Sequence, residues 1–190
     1  REFLQTIDEE TDHLTELVDG VLDVARAQAG RTRLSLQPLD VEQVVRRSLE
    51  RMNGTIASRE VRLECEPLPL IEADNSRLEQ VLLNLLGNAV KYSPAQTPID
   101  ISIAAHGSDV QIAVMDRGIG ITPSDAARIF EPFYRAQTQA AAAVGGAGLG
   151  LAVCRAILDA HGGRIWAAPR DGGGTAVYLT LPTNARQRGD

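Results

Sequence analysis

Apolar positions along this chain come in blocks of two different periods. Residues 1–29 contain no Pro, and their first Gly is Gly20. Positions 3, 7, 10, 14, 17, 21, 24 and 28, reached by alternating steps of four and three, hold Phe, Ile, Glu, Leu, Leu, Val, Val and Gln. A seam this apolar predicts one long helix of a coiled coil or bundle. A second stripe (Leu4, Val18, Leu22, Ala25) widens the face beyond a two-stranded seam and favours a four-helix bundle. A helix packed on the domain that follows is the alternative.

After Gly30 the pattern changes. Leu34, Ser35 and Leu36 alternate as a strand, and Asp40 caps a helix running to about residue 58. Residues 61–64 and 70–72 predict short strands around a Pro-rich turn. A strong helix starts at Asn75 or Ser76 and runs to Tyr92, where Ser93-Pro94 stops it. Residues 99–103 and 110–114 alternate at period two across Gly107-Ser108-Asp109, the pattern of a hairpin. A short helix at 123–129, an aperiodic loop at 137–146 and a helix at 149–160 follow. That last helix closes at His161-Gly162-Gly163, before strands at 165–167 and 175–181 and a polar tail from residue 184.

Composition narrows the class. A chain of 190 residues with 44% hydrophobic and 23% charged positions has a globular composition and room for one sizeable core. A net charge of −6 argues against a nucleic-acid partner. Cys65 and Cys154 lie far apart without a Cys/His cluster, so neither a disulfide framework nor a structural zinc site is expected, and a cytoplasmic setting is the default. No signal peptide opens the chain, and the uncharged stretch 136–154 is too weakly apolar to span a membrane. Of 19 basic residues only Lys91 is a lysine.

Lys91 sits on a suggestive helix. Leu78, Val81, Leu82, Leu85 and Ala89 fall within about 60° of one axis and form its core face. Asn84, Asn88 and Lys91 form a separate stripe. That stripe is either a solvated surface or a site for a metal-bound polyphosphate, with an amide oxygen for Mg²⁺ and an ammonium for phosphate. Further on, Asp116-Arg-Gly118-Ile-Gly120 ends a strand with a carboxylate able to accept from an exocyclic amine. A plain strand-to-turn transition would read the same way. Gly145-Gly146-Ala-Gly148-Leu149-Gly150 opens a helix, where free N–H groups suit phosphate. Its spacing fits neither the Rossmann fingerprint nor the P-loop. Phe130-Glu-Pro132-Phe133 between these segments reads as an apolar anchor for the loop.

In this order the four segments resemble the ATP-binding domain of sensor histidine kinases, within the wider group of DNA gyrase B, the ninety-kilodalton heat-shock chaperone and MutL. Asn84 to Tyr92 is similar to the N box and Asp116 to Gly120 to the first glycine box. Phe130 to Phe133 is similar to the F box, and Gly146 to Gly150 to the second glycine box. The stretch 158–166 resembles the family's ending, and 82–86 with 133–135 resemble potassium-responsive sensor kinases. The resemblance implies an α+β fold. This would be a mixed β-sheet with helices on one face (an α/β sandwich ATP-binding fold) over 31–183, preceded by one long bundle-forming helix. Residues 1–30 would be the second helix of a dimerisation and phosphoacceptor hairpin.

Carried over by position, the resemblance implies ATP and Mg²⁺ as cofactors, with Asn88 as the metal ligand and Asn84 beside the phosphates. Lys91 would contact phosphate, Tyr92 would stack near adenine, and Asp116 would accept from its amine. Gly118, Gly120, Phe133, Gly146, Gly148, Leu149 and Gly150 would shape the nucleotide site and its lid. Two departures stand out. Asn84 occupies the place of the general-base Glu of hydrolysing members, and an amide cannot take a proton, which favours a kinase over an ATPase. The lid 137–146 is uncharged, which leaves Arg135 at its base as the basic residue able to assist the γ-phosphate.

His13, His106 and His161 all lack the phosphoacceptor pattern and read as structural or surface residues. The acceptor histidine is therefore expected upstream of Arg1, in a homodimeric parent anchored in the inner membrane, with a response-regulator receiver domain as partner. The competing readings are a related serine kinase or ATPase, and a degenerate nucleotide fold used for dimerisation or scaffolding.

Overall fold

The computed structural model describes residues 11, 18, 20–23, 25, 33–56, 59–136 and 146–183. Seam positions 3, 7, 10, 14, 17, 24 and 28, His13, loop residues 137–145 and the tail from residue 184 lie outside the described residues. Residues 11, 18, 20–23 and 25 are helical.

The described elements in chain order are β1 (Gln37–Leu39), α1 (Val41–Arg51), α2 (Asn53–Ile56), β2 (Val61–Cys65), β3 (Ile71–Ala73), α3 (Asn75–Tyr92), β4 (Ile99–His106) and β5 (Asp109–Met115). They continue with α4 (Pro123–Arg128), α5 (Gly150–Ala160), β6 (Arg164–Pro169) and β7 (Thr175–Pro182). A five-stranded sheet has the order β2-β4-β5-β7-β6, and β1 pairs with β3 in a separate antiparallel ribbon. The large sheet is mixed. β2 runs parallel to β4, in the register Leu63↔Ile101, while the hairpins β4–β5 and β6–β7 and the β5–β7 pairing are antiparallel.

Strand alternation decides where the core lies. Ile99, Ile101 and Ile103 of β4 are buried, and so are Ile112 and Val114 of β5 opposite them in the ladder. Leu179 and Leu181 of β7 continue that face. Onto it pack Val44 and Val45 of α1, Leu78, Val81, Leu82 and Leu85 of α3, and Val153, Ile157 and Leu158 of α5. The opposite face carries Asp100, Ser102 and Gln111, with Trp166 stacked on Tyr178 at 5.4 Å. The sheet therefore wears its helices on one face, as expected from the resemblance.

Helix ends follow local chemistry. Asp40 accepts from the Gln43 amide to cap α1. Asp74 accepts from the Ser76 and Arg77 amides at the start of α3, at 3.0 and 3.1 Å. At the other end of α3, Arg59 donates to the Val90 and Ser93 carbonyls at 2.8 and 2.9 Å and satisfies groups that a helix C-terminus leaves open.

Three expected boundaries are corrected. The first strand is Gln37–Leu39, not 34–36, because its register is set by Ile71–Ala73 across the ribbon. The helix from Asp40 ends at Arg51 rather than near 58, and Asn53-Gly54, poor helix formers both, start a separate short turn of helix. The third strand is Ile71–Ala73 rather than 70–72, which leaves Leu70 exposed.

Candidate functional site

A cleft of about 930 Å³ opens between α3, the segment after β5, and the start of α5. Its α3 wall is the predicted polar stripe: Asn84, Asn88 and Lys91 all line it, with Tyr92 at the helix end. The stripe faces the cleft because the apolar face of the same helix is committed to the core, with Leu78, Val81, Leu82, Leu85, Leu86 and Ala89 buried.

The facing wall is the glycine segment. Gly146, Gly148, Leu149 and Gly150 line the cleft. Leu149 occupies the cap position of α5 without any side-chain cap bond, so the first amides of this helix are left for a ligand. The two walls approach closely. A Cβ at Gly146 would stand 2.7 Å from Lys91 Nζ, and one at Gly150 would stand 3.2 Å from Asn84 Oδ1. Lys91 Nζ also lies 5.8 Å from the Tyr92 ring centroid. Arg135 lines the cleft near this wall, with Tyr134 beside it.

At the sheet end stands Asp116, buried, with Thr175 and Val177 of β7 beside it. Its Oδ1 accepts from the Gly118 amide at 2.7 Å and the Thr175 amide at 3.2 Å. Burial pushes the Asp116 carboxyl up from its ordinary range, against the pull of those two amides and of the Arg170 and Arg59 charges. A ligand donor reaching the carboxylate would favour its ionised form.

Other side chains hold the frame. Tyr134 Oη donates to Asp125 Oδ1 at 2.7 Å, and the Arg128 guanidinium lies 4.2 Å from the Tyr134 ring centroid. The Phe133 amide donates to the Gly148 carbonyl at 2.9 Å, so the segment before residue 137 is tied to the glycine wall. Cys154, buried behind Asn84, has its thiol pushed up to about 12 by burial and stays protonated.

Two expected site residues fall elsewhere. Phe133 does not line the cleft: its side chain is 64% exposed, on a left-handed backbone with φ of 64°. Phe130 is the apolar anchor instead, buried in the core with the Arg155 guanidinium 5.3 Å from its ring. Gly118 does not line the cleft either. A Cβ there would stand 2.1 Å from the Tyr92 carbonyl oxygen, so this glycine lets the loop after β5 pass against the end of α3. Gly120 does line it. Thr175 escaped the sequence reading because its contribution is a main-chain amide, to which no side-chain pattern points.

Residues 73–185 match the family described as Histidine kinase-, DNA gyrase B-, and HSP90-like ATPase. Sensor protein KdpD of Escherichia coli is 43% identical over 168 residues, covering 88% of this chain and 19% of KdpD. The alginate biosynthesis sensor protein KinB of Pseudomonas aeruginosa is 36% identical, over 95% of this chain and 30% of KinB. The chain thus spans less than a third of either relative. Full-length ShkA, crystallised in complex with AMPPNP, superposes with a TM-score of 0.81 at 35% identity, covering 96% of this chain and 38% of ShkA.

Proposed function

This chain belongs to the histidine kinase-, DNA gyrase B- and HSP90-like ATPase family, and from that premise we propose that it is the ATP-binding catalytic part of a sensor histidine kinase. It passes the γ-phosphate of ATP to a histidine, for relay to the receiver-domain aspartate of a response regulator, in a parent protein that dimerises through a helical hairpin. One observation carries the reading: Asn84, Asn88 and Lys91 face the uncapped start of α5 across a cleft that ends on Asp116. The AMPPNP carried by ShkA supports it.

Asp116 accepts from the adenine amine, and Tyr92 stacks near the base. Lys91 and the first amides of α5 meet the phosphates. Among the described residues no cluster of three or more His, Cys, Asp or Glu could hold a metal ion. The Asn88 amide oxygen, a hard donor, suits a Mg²⁺ held jointly with the phosphates. When bound, Mg²⁺ would neutralise charge on the transferring group. Asn84, an amide, cannot deprotonate water, so the γ-phosphate is kept for another acceptor. Arg135 brings a positive charge to the same region.

The acceptor is neither of the described histidines. His161 has both ring nitrogens engaged: Nε2 accepts from the Asp74 amide at 3.0 Å, and Nδ1 meets the Ile157 carbonyl at 2.8 Å. His106 ends β4 next to Asp109, the far end of β5 from Asp116, roughly 20 Å away along the strand.

Calorimetry with AMPPNP, with and without Mg²⁺, tests the reading. Magnesium-dependent binding is expected, without stable labelling of His106 or His161 by γ-labelled ATP. Absence of binding at millimolar nucleotide would leave a scaffold, and labelling of either histidine would overturn the placing of the acceptor.

A further inference from the structure

The turn between β6 and β7 lies behind Asp116, and its contacts converge there. Asp116 N–H donates to the Thr175 carbonyl at 2.9 Å, and Thr175 N–H donates back to Asp116 Oδ1 at 3.2 Å. Gly174, at φ of 103°, presses on the Asp116 peptide so closely that a Cβ would stand 2.1 Å from its carbonyl oxygen. The turn is closed by Arg170 N–H donating to the Gly174 carbonyl at 3.1 Å and Gly173 N–H to the Arg170 carbonyl at 3.0 Å.

Arg170 connects this turn to the rest of the sheet. Its Nη2 donates to Asp100 Oδ2 on β4, and its Nη1 reaches the Asp116 carbonyl oxygen at 3.4 Å. Both side chains of the ion pair are 16% exposed, and neither lines the cleft. Arg62 and Arg117 stand 3.9 Å from the same Asp100 carboxylate. An ion pair this sheltered has a fixed geometry, and the Arg fork spans from β4 to the peptide of Asp116.

We infer that Asp100 and Arg170 are positioning residues for base recognition, fixing the Asp116 carboxylate so that the site selects a purine with a 6-amino group. Neither lines the cleft: Arg170 acts through the peptide of Asp116, and Asp100 acts through Arg170. The inference rests on the reading of Asp116 as the acceptor of the adenine amine. The Arg170 charge also pulls against the burial that raises the Asp116 carboxyl, and so favours its accepting, ionised form.

The test compares ATP with purine riboside triphosphate, which lacks the 6-amino group, on the full chain by calorimetry. Arg170→Met should weaken ATP about tenfold and leave the analogue unchanged, so that the ratio of affinities collapses toward one. Arg170→Lys should restore part of the ratio. Asp100→Asn should reduce it less, because Arg170 keeps a neutral acceptor there. Equal loss of both nucleotides, or an unchanged ratio in a folded Arg170→Met protein, would overturn the inference while the Asp116 reading stood. A wild-type chain that binds both nucleotides equally would remove the Asp116 reading and this inference with it. Should Arg170→Met fail to fold, the paired Asp100→Asn/Arg170→Gln variant removes both charges together and is read by the same ratio.

Discussion

Lys91 is the residue on which composition and geometry meet. It is the lone lysine of the chain and stands with its ammonium against Gly146. Its side chain is exposed, so removing it should leave stability within about 0.5 kcal/mol. Lys91→Ala should weaken magnesium-nucleotide binding about 10- to 100-fold, the loss of one charge-assisted contact, read by calorimetry with the urea midpoint as control. Lys91→Arg should recover only part, because a guanidinium needs width that the Gly146 backbone denies. Gly118 makes the complementary case. Gly118→Ala brings a methyl against the Tyr92 carbonyl carbon and oxygen, both main chain, and should cost about 1–3 kcal/mol together with nucleotide binding. Gly87→Ala, on α3 with nothing within 4 Å of the new methyl, should raise the unfolding midpoint instead. The sequence marked Gly118 as a shaper of the site but not why it must be glycine. That reason is the Tyr92 carbonyl at the end of α3, to which Gly87 has no counterpart.

Among the elements, α3 was the most legible because one helix states three things at once: an apolar stripe, a polar stripe and a stop at Ser93-Pro94. All five of its predicted core residues are buried and all three stripe residues line the cleft. The ribbon β1–β3 was the least legible, because short strands take their register from a distant partner and local alternation at 34–36 pointed to the wrong residues. The link between α3 and α5 was equally hidden. Asp74, which caps α3, also accepts from the Ser35 amide at 2.9 Å and donates its own amide to His161 at the end of α5. Burial works against the ionised Asp74, but the Ser35, Ser76 and Arg77 amides and the Ser76 hydroxyl outweigh it and hold its carboxyl below the usual range. The His161 pKa is lowered too, but here burial is the cause rather than the opponent. Burial disfavours the charged ring and lowers its pKa beneath 6.5, against the pull of the Ile157 carbonyl and the Asp74 charge, and the neutral ring is the form whose Nε2 accepts from the Asp74 amide. Between the lowered value and about 6.5 the unfolded chain therefore binds more protons than the fold does, and stability rises with pH there. Urea unfolding should show the His161 contribution complete above pH 6.5 and lost as pH falls through the lowered value. His161→Gln should flatten that part of the profile, and an unchanged slope would show that the α3–α5 link does not titrate.

At the scale of the molecule, the helical residues 18, 20–23 and 25 meet the ATP-binding fold. Among the described residues, Leu22 and its neighbours Val18 and Val21 are exposed. Polar contacts tie Asp23 to α3. Arg77 Nη1 lies 3.1 Å from Asp23 Oδ2, Gln80 Nε2 donates to the same oxygen at 3.1 Å, and Arg77 also donates to Gln80 Oε1 at 2.9 Å. Both charged partners are partly shielded, which gives the pair more weight than an open surface bridge, worth about 0–1 kcal/mol. The same segment reaches the nucleotide cleft, because Gly20 lines it and a Cβ there would stand 3.3 Å from Leu149 Cβ at the start of α5. Docking of the helix and occupancy of the cleft therefore share a wall, and any ligand that moves Leu149 must shift the docking equilibrium by its differential affinity for the two arrangements. Arg77→Ala should raise amide exchange at residues 20–23 and 25 and leave the β4–β5 ladder protected, because the ladder's core does not depend on this contact. Asp23→Ala should have the same effect, and the double variant should add little to either, the signature of a shared interaction. Nucleotide should then change exchange at residues 20–23 and 25 in the wild-type chain more than in Arg77→Ala. Equal changes in both would mean that the cleft and the helix are neighbours without being coupled.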